Sequence, residues 1–224
     1  MKLSIIIPAL NEENSIVKTL KQLQPLRDEG HEVIVVDGGS DDQTWQLSEP
    51  LVDHAIQSHP GRARQMNRGA ALASNEILLF LHADTRLPDD ATQQIDAALN
   101  CTMKVWGRFD VRLTGQPFMF RVIERMINQR SCITGIATGD QAIFVRRAVF
   151  ELFGGYAEIP LMEDVELTKS LRSISWPCCI KSAVVTSSRR WEKNGIVKTI
   201  WLMWRLRFLY FIGVDPRKLA ASYR

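Results

Sequence analysis

The 224-residue chain has neither a long uncharged apolar run nor an excess of charge of one sign. Its 28 Lys and Arg residues stand against 25 Asp and Glu residues, so the formal net charge is only +3. Because the basic residues do not form one long run, the sequence gives no support for a nucleic-acid-binding protein. With 46% hydrophobic and 24% charged residues, the composition excludes wholesale disorder and a polytopic membrane protein. This length predicts one large domain or two small ones.

Cysteine is also scarce. The chain has only four, and none forms a C-x-x-C pair: Cys101, Cys132, Cys178 and Cys179. We therefore expect reduced thiols in a cytoplasmic protein, in preference to a zinc site or a disulfide framework. The first apolar run is broken by Pro8 and followed by three polar residues, 11–13, which is not the pattern of a signal peptide.

Several common catalytic and phosphate-binding motifs are missing. No G-x-G-x-x-G opens a helix after the first apolar run, and no G-x-x-x-x-G-K-[ST] occurs. G-x-S-x-G and H-E-x-x-H are absent as well. These absences argue against a dinucleotide dehydrogenase, a P-loop enzyme, an α/β-hydrolase and a zincin.

The first half of the chain alternates short apolar runs with amphipathic segments. The pattern predicts strands at 3–8, 32–36, 54–57 and 76–81, and helices at 14–23, from the 37–42 turn to 49, at 61–74 and at 88–99. Pro25 is expected to close the first helix. Such alternation is typical of a mostly parallel sheet with helices on its faces.

The second half has a different pattern. We predict strands at 104–114, 139–145 and 178–185, and helices at 117–128 and 163–171. The strand at 104–114 is a candidate for antiparallel pairing. No internal repeat or low-complexity linker is visible, so one continuous domain is preferred.

Polar clusters follow the predicted strands, and ligands of open parallel sheets bind beyond the carboxyl ends of strands. Asp37 and Asp84 each close a long apolar strand, which favours a functional interpretation. For Glu13, Asp41 and Asp42 we favour a role in turns and helix caps, where such residues are common.

Five short motifs then occur in the order found in one enzyme family. They are 4–13 (Ser-Ile-Ile-Ile-Pro-Ala-Leu-Asn-Glu-Glu), 35–42 (Val-Val-Asp-Gly-Gly-Ser-Asp-Asp), 80–84 (Phe-Leu-His-Ala-Asp), 163–164 (Glu-Asp) and 188–191 (Ser-Arg-Arg-Trp). Each is weak alone, but together they make residues 3–191 resemble family 2 glycosyltransferases. Residues 61–67 and 139–141 further resemble a small bacterial subgroup of uncharacterised glycosyltransferases.

The resemblance implies the GT-A fold, an α/β architecture with a mostly parallel central sheet flanked by helices. It divides residues 1–195 into a nucleotide-sugar-binding half, 1–100, and an acceptor and catalytic half, 101–195. Residues 196–224 are left as an apolar, aromatic-rich C-terminal helix and tail. The implied activity is transfer of a sugar, with inversion, from a nucleoside diphosphate sugar, which we expect to be UDP-linked, to an unknown acceptor.

The resemblance also assigns the donor side. The nucleotide would contact Pro8, Ala9, Glu12, Asp37, Arg64 and Ala83, although Arg64 also fits a solvated helix face. Asp84 matches the last acidic residue of the family's Asp-x-Asp motif and would bind a divalent cation, Mn²⁺ or Mg²⁺, together with the substrate phosphates. His82 stands where the family often has Asp. Its imidazole suits Mn²⁺ better than Mg²⁺, or else contacts phosphate or ribose.

On the acceptor side, Asp164 matches the family's catalytic carboxylate and is the candidate general base. The alternative is that Glu163 and Asp164 merely favour a helix N-terminus. Contacts to the acceptor or the diphosphate are expected from Asp140, Glu163, Arg190 and Trp191, with Arg189 beside them. The Gln that the family places before Arg-Trp is not in its usual position.

The C-terminal segment 196–214 holds five aromatic residues. Lys198, Arg205 and Arg207 argue against a membrane-spanning helix, because a cation is costly at the centre of one. Three interpretations stay open: packing on the domain or on a second subunit, an interfacial helix on anionic lipid, or a lid near the acceptor. A lipid-linked acceptor would favour the second and would place the protein at the inner face of the membrane.

Two other functions compete with glycosyl transfer. A sugar-phosphate nucleotidylyltransferase usually has a Gly-rich, Arg-bearing loop after its first strand, where this chain has Asn-Glu-Glu at 11–13. A non-catalytic nucleotide-sugar-binding or membrane-associated module would not need both Asp84 and Asp164.

Overall fold

The computed structural model describes residues 1–100 and 102–223, with every side chain in those ranges except that of Arg190. In this part of the chain seven strands form one sheet. They are β1 (Leu3–Ala9), β2 (Glu32–Asp37), β3 (His54–Gln57), β4 (Ile77–Phe80), β5 (Trp106–Leu113), β6 (Phe144–Arg146) and β7 (Cys178–Thr186).

The sheet has the order β3-β2-β1-β4-β6-β5-β7. Strands β3, β2, β1 and β4 pair in parallel, and so do β5 and β7. Strand β6 pairs antiparallel with both β4 and β5, so it alone among these seven strands runs against the others. The sheet is therefore mostly parallel, and the carboxyl ends of β1, β2 and β4 lie at one edge.

Ten α-helices in the described ranges connect and cover the strands. They are α1 (Ile16–Asp28), α2 (Thr44–Ser48), α3 (Arg62–Leu72), α4 (Ala91–Asn100), α5 (Phe118–Thr134), α6 (Arg147–Leu152), α7 (Glu163–Ile174), α8 (Arg189–Asn194), α9 (Ile196–Phe211) and α10 (Pro216–Tyr223).

The apolar residues of β1 pack on both faces of the sheet, because successive strand residues point to opposite sides. Ile5 belongs to a buried cluster that includes Ile16 of α1 and Ile95 of α4. Ile6 belongs to the cluster on the other face, which includes Met66 of α3. Burial on both faces explains why β1 has no polar–apolar alternation.

Three details differ from the sequence predictions. Helix α1 continues through Pro25, which lies on its exposed side, where water can reach the carbonyl oxygen left without a partner. Residues 139–141 form a 3₁₀ turn capped by Thr138, and the left-handed φ of 46° at Ala142 delays the strand until Phe144. Strand β5 pairs antiparallel with β6, as predicted, but it also pairs in parallel with β7, so the strand that runs against the others is β6.

The expectation of reduced thiols is wrong for two of the four cysteines. Cys132 in α5 and Cys179 in β7 form a disulfide across 47 residues of chain, whereas Cys178 is free and buried. The two Cα atoms are 6.0 Å apart, within the usual range for a disulfide. Disulfides persist mainly in oxidising compartments, and the cytoplasmic location stays a prediction. Cys101 lies outside the described residues.

Helices α9 and α10 pack against the segment that leads into α7. Leu206 of α9 and Leu219 of α10 form a buried cluster with Met162, the residue before α7. The Tyr210 hydroxyl donates a hydrogen bond to Glu166 Oε2 of α7 at 2.6 Å. Within the described ranges, no helix combines the length and apolar character needed to cross a bilayer. The domain boundary at residue 195 stays a prediction.

Candidate active site

A cavity of about 1260 Å³ lies beyond the carboxyl ends of β1 and β4. Its lining includes residues of the loops that follow these two strands and residues of α5 and α9. Gln65 of α3 helps to hold this sheet edge, because its side-chain amide donates hydrogen bonds to the carbonyls of Ala9 and Val36, both at 2.8 Å. The position is the one at which open α/β sheets bind ligands.

The cavity brings together most of the residues that the sequence singled out. Those that line it are Pro8, Ala9, Glu12, His82, Ala83, Asp84, Asp140, Asp164 and Trp191. Asp37, Arg64 and Glu163 do not line it. The Arg190 side chain lies outside the described part of the structure, so its predicted contact with the diphosphate or acceptor stays a prediction.

Arg189 joins two carboxylates at the end of the cavity next to β1 and β4. Its Nη2 atom lies 2.8 Å from Glu12 Oε2 and 3.3 Å from Asp84 Oδ2. Burial and the nearby Glu12 carboxylate raise the pKa of Asp84, while Arg189 acts in the opposite sense. The sequence had placed Arg189 next to the family's Arg-Trp motif, and the structure shows that this arginine reaches the end of β4.

The same pair of carboxylates fits a divalent cation. Glu12 and Asp84 converge on one cationic nitrogen, and Mg²⁺ is commonly held by one or two carboxylates together with substrate phosphates. No group of three or more Cys, His, Asp or Glu side chains within 1–100 and 102–223 forms a complete metal site.

His82 has an unusual environment. Its Nε2 atom is buried and has no hydrogen-bond partner among the described residues. Gly139 faces it so closely that a Cβ atom added there would lie 2.7 Å from this nitrogen. Burial, assisted by the charge of Arg62, lowers the pKa of His82 to about 3, so its imidazole is neutral at pH 7. A neutral imidazole nitrogen can accept a hydrogen bond or ligate a metal.

Asp164 occupies the first turn of α7 and is half-buried at the cavity wall. Its Oδ2 atom accepts a hydrogen bond from the Gly139 backbone N–H at 2.8 Å, and Oδ1 accepts one from the Val165 N–H at 2.7 Å. Met162, just before the helix, has a left-handed φ of 71°, which is uncommon for a residue with a side chain. The backbone is thus shaped to present this carboxylate.

Asp140 lies beside Asp164 on the cavity wall. Its carboxylate accepts a hydrogen bond from the Thr138 hydroxyl. Burial raises the pKa of Asp140, and the charge of Asp164 raises it further. A carboxyl group kept in this environment is a sign of a functional site, because shifted pKa values cluster at such sites.

Glu163 does not itself line the cavity but pairs with Arg62, which does, and its predicted contact with the acceptor or the diphosphate stays a prediction. Glu163 is buried, and its Oε1 atom lies 3.6 Å from Nη1 of Arg62. Burial and the neighbouring Asp164 raise the pKa of Glu163, while Arg62 opposes the shift. The two adjacent acidic residues therefore have different surroundings, as expected for neighbours on a helix.

Two further predicted donor residues are engaged elsewhere. The Asp37 carboxylate is buried and accepts hydrogen bonds from the backbone N–H groups of Gly39 and Ser40, both at 3.0 Å. Arg64 is exposed, and its Nε lies 3.0 Å from Glu158 Oε2. Their predicted roles in nucleotide binding stay predictions.

The sequence analysis did not assign two cationic residues to the site. Arg130 of α5 and Arg207 of α9 both line the cavity. Arg130 Nη1 is buried and has no hydrogen-bond partner among the described residues. Burial, together with the charge of Arg207, lowers the pKa of Arg130 to about 10. Helical spacing alone does not reveal these residues, because the cavity forms only when α5 and α9 pack side by side.

Solved structures share this architecture. TarS 1-349 from S. aureus, solved in complex with UDP-GlcNAc, has a TM-score of 0.66 at 21% identity, covering 84% of this chain and 58% of that one. The mannosyltransferase PcManGT from Pyrobaculum calidifontis, solved with GDP-Man and Mn²⁺, has a TM-score of 0.63 at 20% identity, covering 93% and 61%. The predicted GT-A fold is thereby confirmed.

Sequence comparison gives the family. Residues 4–153 match the description "Glycosyl transferase family 2", and the chain belongs to this family. YdaM, a probable glycosyltransferase of Bacillus subtilis (strain 168), is 24% identical over 233 residues, which cover 92% of this chain and 53% of YdaM. The chain spans about half the length of the curated relatives it matches.

Proposed function

We propose that the protein transfers a sugar from a nucleoside diphosphate sugar to an acceptor hydroxyl with inversion at the anomeric carbon. One observation carries this proposal. A single cavity at the sheet edge contains the Glu12–Arg189–Asp84 cluster, suited to a diphosphate and its cation, and Asp164, a carboxylate without an ion-pair partner among the described side chains.

The donor is taken to be UDP-linked. Pro8, Ala9 and Ala83 line the donor side of the cavity, and small or apolar residues leave room for a base and ribose. TarS, which shares the fold, is solved with UDP-GlcNAc, and this supports the choice. Asp37 and Arg64 are proposed to join the nucleotide contacts, which requires each to exchange a present hydrogen bond for one to the donor.

A divalent cation is proposed to bind at Asp84 and Glu12, with His82 as the nearby imidazole. When bound, such an ion acts as a Lewis acid that offsets the charge developing on the leaving diphosphate. PcManGT is solved with Mn²⁺, which supports this ion. Arg189 supplies positive charge at the same place and lies within reach of both carboxylates.

Asp164 is proposed to act as general base. As the acceptor oxygen forms its bond to the anomeric carbon, the hydroxyl proton passes to a carboxylate oxygen of Asp164. The bond from the anomeric carbon to the diphosphate breaks with its electron pair on the diphosphate oxygen, and Asp164 later releases the proton to water. The hydrogen bond from Gly139 holds the carboxylate in place for this step.

The test is calorimetric titration of UDP and of UDP- and GDP-sugars, with and without Mn²⁺, followed by measurement of nucleotide diphosphate release. We expect one donor class to bind, Mn²⁺ to strengthen binding, and Asp84→Asn to remove that metal effect. Asp89→Asn is the matched control, because Asp89 is an exposed acidic residue of the following loop. No binding of any nucleotide sugar would contradict the proposal.

A further inference from the structure

Helix α9 carries a row of exposed apolar side chains along its whole length. Exposed fractions range from 63% to 88% for the five members of the row: Val197, Trp201, Trp204, Phe208 and Phe211. Their spacing of four, three, four and three residues places them on one side of the helix. The opposite side is the one that packs on the protein, through Leu206 and Thr199.

Helix α5 adds a second exposed apolar row beside the first. Its members are Phe118, Met119, Val122 and Met126. The two helices are neighbours, because Phe120 and Ile123 of α5 form a cluster with Ile196 and Ile200 of α9. We call the two exposed rows together the apolar face. Large exposed apolar side chains grouped on two neighbouring helices are typical of an interaction site.

The α9 row of the apolar face lies in the most basic part of the chain. Residues 189–224 contain nine Lys or Arg and two Asp or Glu, a formal charge of +7, whereas residues 1–188 carry −4. Lys193, Lys198 and Arg205 are exposed, and the Arg205 guanidinium lies 5.5 Å from the ring centroid of Trp201. Exposed aromatic residues next to Lys and Arg are typical of helices that lie on anionic lipid.

The cavity opens between the two rows. Met126 of α5 and Trp204 of α9 line the cavity and are also 45% and 63% exposed. Ile123, Ile200 and Met203 of the same two helices add further apolar lining, and Arg130 lines the same cavity. The cavity therefore combines apolar side chains that reach the apolar face with the guanidinium of Arg130, whose Nη1 atom is buried.

We propose that the apolar face docks on a bilayer that contains anionic lipid, and that the acceptor is an amphiphile drawn from this bilayer into the apolar end of the cavity. The docking on the bilayer rests only on the apolar face and on the basic residues around it. The acceptor part rests on the proposed glycosyl transfer. A second copy of the chain is a poorer occupant, because a symmetric dimer through this face would bring two strongly basic segments together.

The docking test is co-sedimentation of the full chain with vesicles. Wild type should bind vesicles made of equal parts phosphatidylglycerol and phosphatidylcholine, and should stay in the supernatant with phosphatidylcholine alone. Each basic residue that lies at the lipid surface should contribute about fivefold to vesicle binding. The double variant Lys198→Gln with Arg205→Gln, which neutralises two of them, should therefore bind more weakly than wild type. Added salt should weaken vesicle binding further, because salt screens charge at the surface.

A second pair of variants tests the aromatic residues. Trp201→Ser with Phe208→Ser should weaken vesicle binding by roughly tenfold or more, since one buried aromatic side chain contributes at least that factor. Leu152→Ser is the matched control, because Leu152 is exposed on α6, away from the face. Equal binding by wild type and the Trp201/Phe208 variant, or no binding to anionic vesicles, would overturn the proposal.

Two further measurements distinguish docking from self-association and from a disturbed fold. Light scattering that shows a wild-type dimer and a monomeric Trp201/Phe208 variant would assign the face to self-association and overturn the docking. UDP titration of the same variants reports the donor site independently. Unchanged UDP affinity with lost vesicle binding supports docking, whereas loss of both means that the variant disturbs the whole domain and overturns the assignment of these residues to the bilayer.

Discussion

The Gly139 backbone N–H donates a hydrogen bond to Oδ2 of Asp164 across 2.8 Å. The two residues belong to different elements, a 3₁₀ turn and the first turn of α7. Gly139 also leaves room for His82, whose Nε2 would clash with any side chain placed there. The glycine therefore orients the candidate base and admits the neutral imidazole at the same time.

Asp164→Asn keeps the shape of this side chain and removes its basicity. We expect turnover to fall by about 10²–10⁴-fold, the usual contribution of a positioned general base. Donor affinity should stay close to wild type, because Asp164 lies on the acceptor side, apart from the Glu12–Arg189–Asp84 cluster. The measurements are UDP release from the donor and calorimetric titration of UDP. Glu151→Gln is the control, since Glu151 is exposed on α6 and does not line the cavity. Full turnover in Asp164→Asn would show that Asp164 is not the general base.

Arg189→Ala should weaken UDP binding. The arginine pairs with Asp84 at the donor side, and a hydrogen bond to a charged group is worth about 1.5–3 kcal/mol. Arg86→Ala serves as control, because Arg86 pairs with Asp89 at the surface, where an ion pair contributes little. Calorimetry that gives the same UDP affinity for both variants and wild type would show that Arg189 does not contact the diphosphate.

Asp140→Asn should make the protein more stable at pH 7. Burial and Asp164 raise the pKa of Asp140 in the folded state, so its contribution to stability is present below the ordinary aspartate pKa and is lost as pH rises through the folded pKa. Asn avoids that loss and can still accept the hydrogen bond from Thr138. Urea denaturation should show the variant to be more stable at neutral pH and similar to wild type in acid. A destabilised variant at pH 7 would contradict the stated environment.

Removing the disulfide should destabilise the fold. A cross-link that closes a loop of this size stabilises by about 4 kcal/mol in the chain-entropy description. Cys132→Ser, or reduction of the wild type, should lower the urea midpoint accordingly. Cys178→Ser is the comparison, because Cys178 is free and should respond to reductant as wild type does. Mass spectrometry that finds no Cys132–Cys179 linkage in oxidised protein would refute the pairing.

Leu206→Ala should affect turnover more than donor binding. Leu206 is 1% exposed and packs on Met162, the residue whose left-handed backbone leads into Asp164. The space left by the shortened side chain should lower the free energy of unfolding by about 2–5 kcal/mol. UDP affinity should be retained because the donor side lies elsewhere. Parallel losses in turnover and UDP affinity would show that α9 supports the whole cavity and not Asp164 in particular.

The strands of the first half were predictable because their burial leaves a strong local pattern. β1, β2 and β4 are continuous apolar runs, and each was placed to within one or two residues at its ends. The polar residues that follow β1 and β4 were therefore also placed at one edge of the sheet. Glu12 and Asp84 meet there because parallel pairing aligns the carboxyl ends of their strands.

The rest of the site depends on contacts that no local pattern contains. In the sequence, Arg130 and Arg207 occupy ordinary polar positions of two helices. They line the cavity because α5 and α9 pack against each other in the folded chain. The strand predicted at 139–145 failed for a local reason, the left-handed Ala142. The disulfide was missed because Cys132 and Cys179 are far apart in sequence, and connectivity does not follow from spacing.

The ion pair between Glu12 and Arg189 joins residues 177 positions apart. Contacts of such long sequence separation form late, because a large loop must close before the contact contributes any stability. We therefore expect the Glu12–Arg189–Asp84 cluster to assemble late as the chain folds. A chain that is only partly folded, with β1 to β4 already paired, would hold Glu12 and Asp84 at the sheet edge without their arginine. Such an intermediate should neither bind nor cleave a nucleotide sugar. The time at which nucleotide-sugar binding appears during refolding should therefore report when folding is complete.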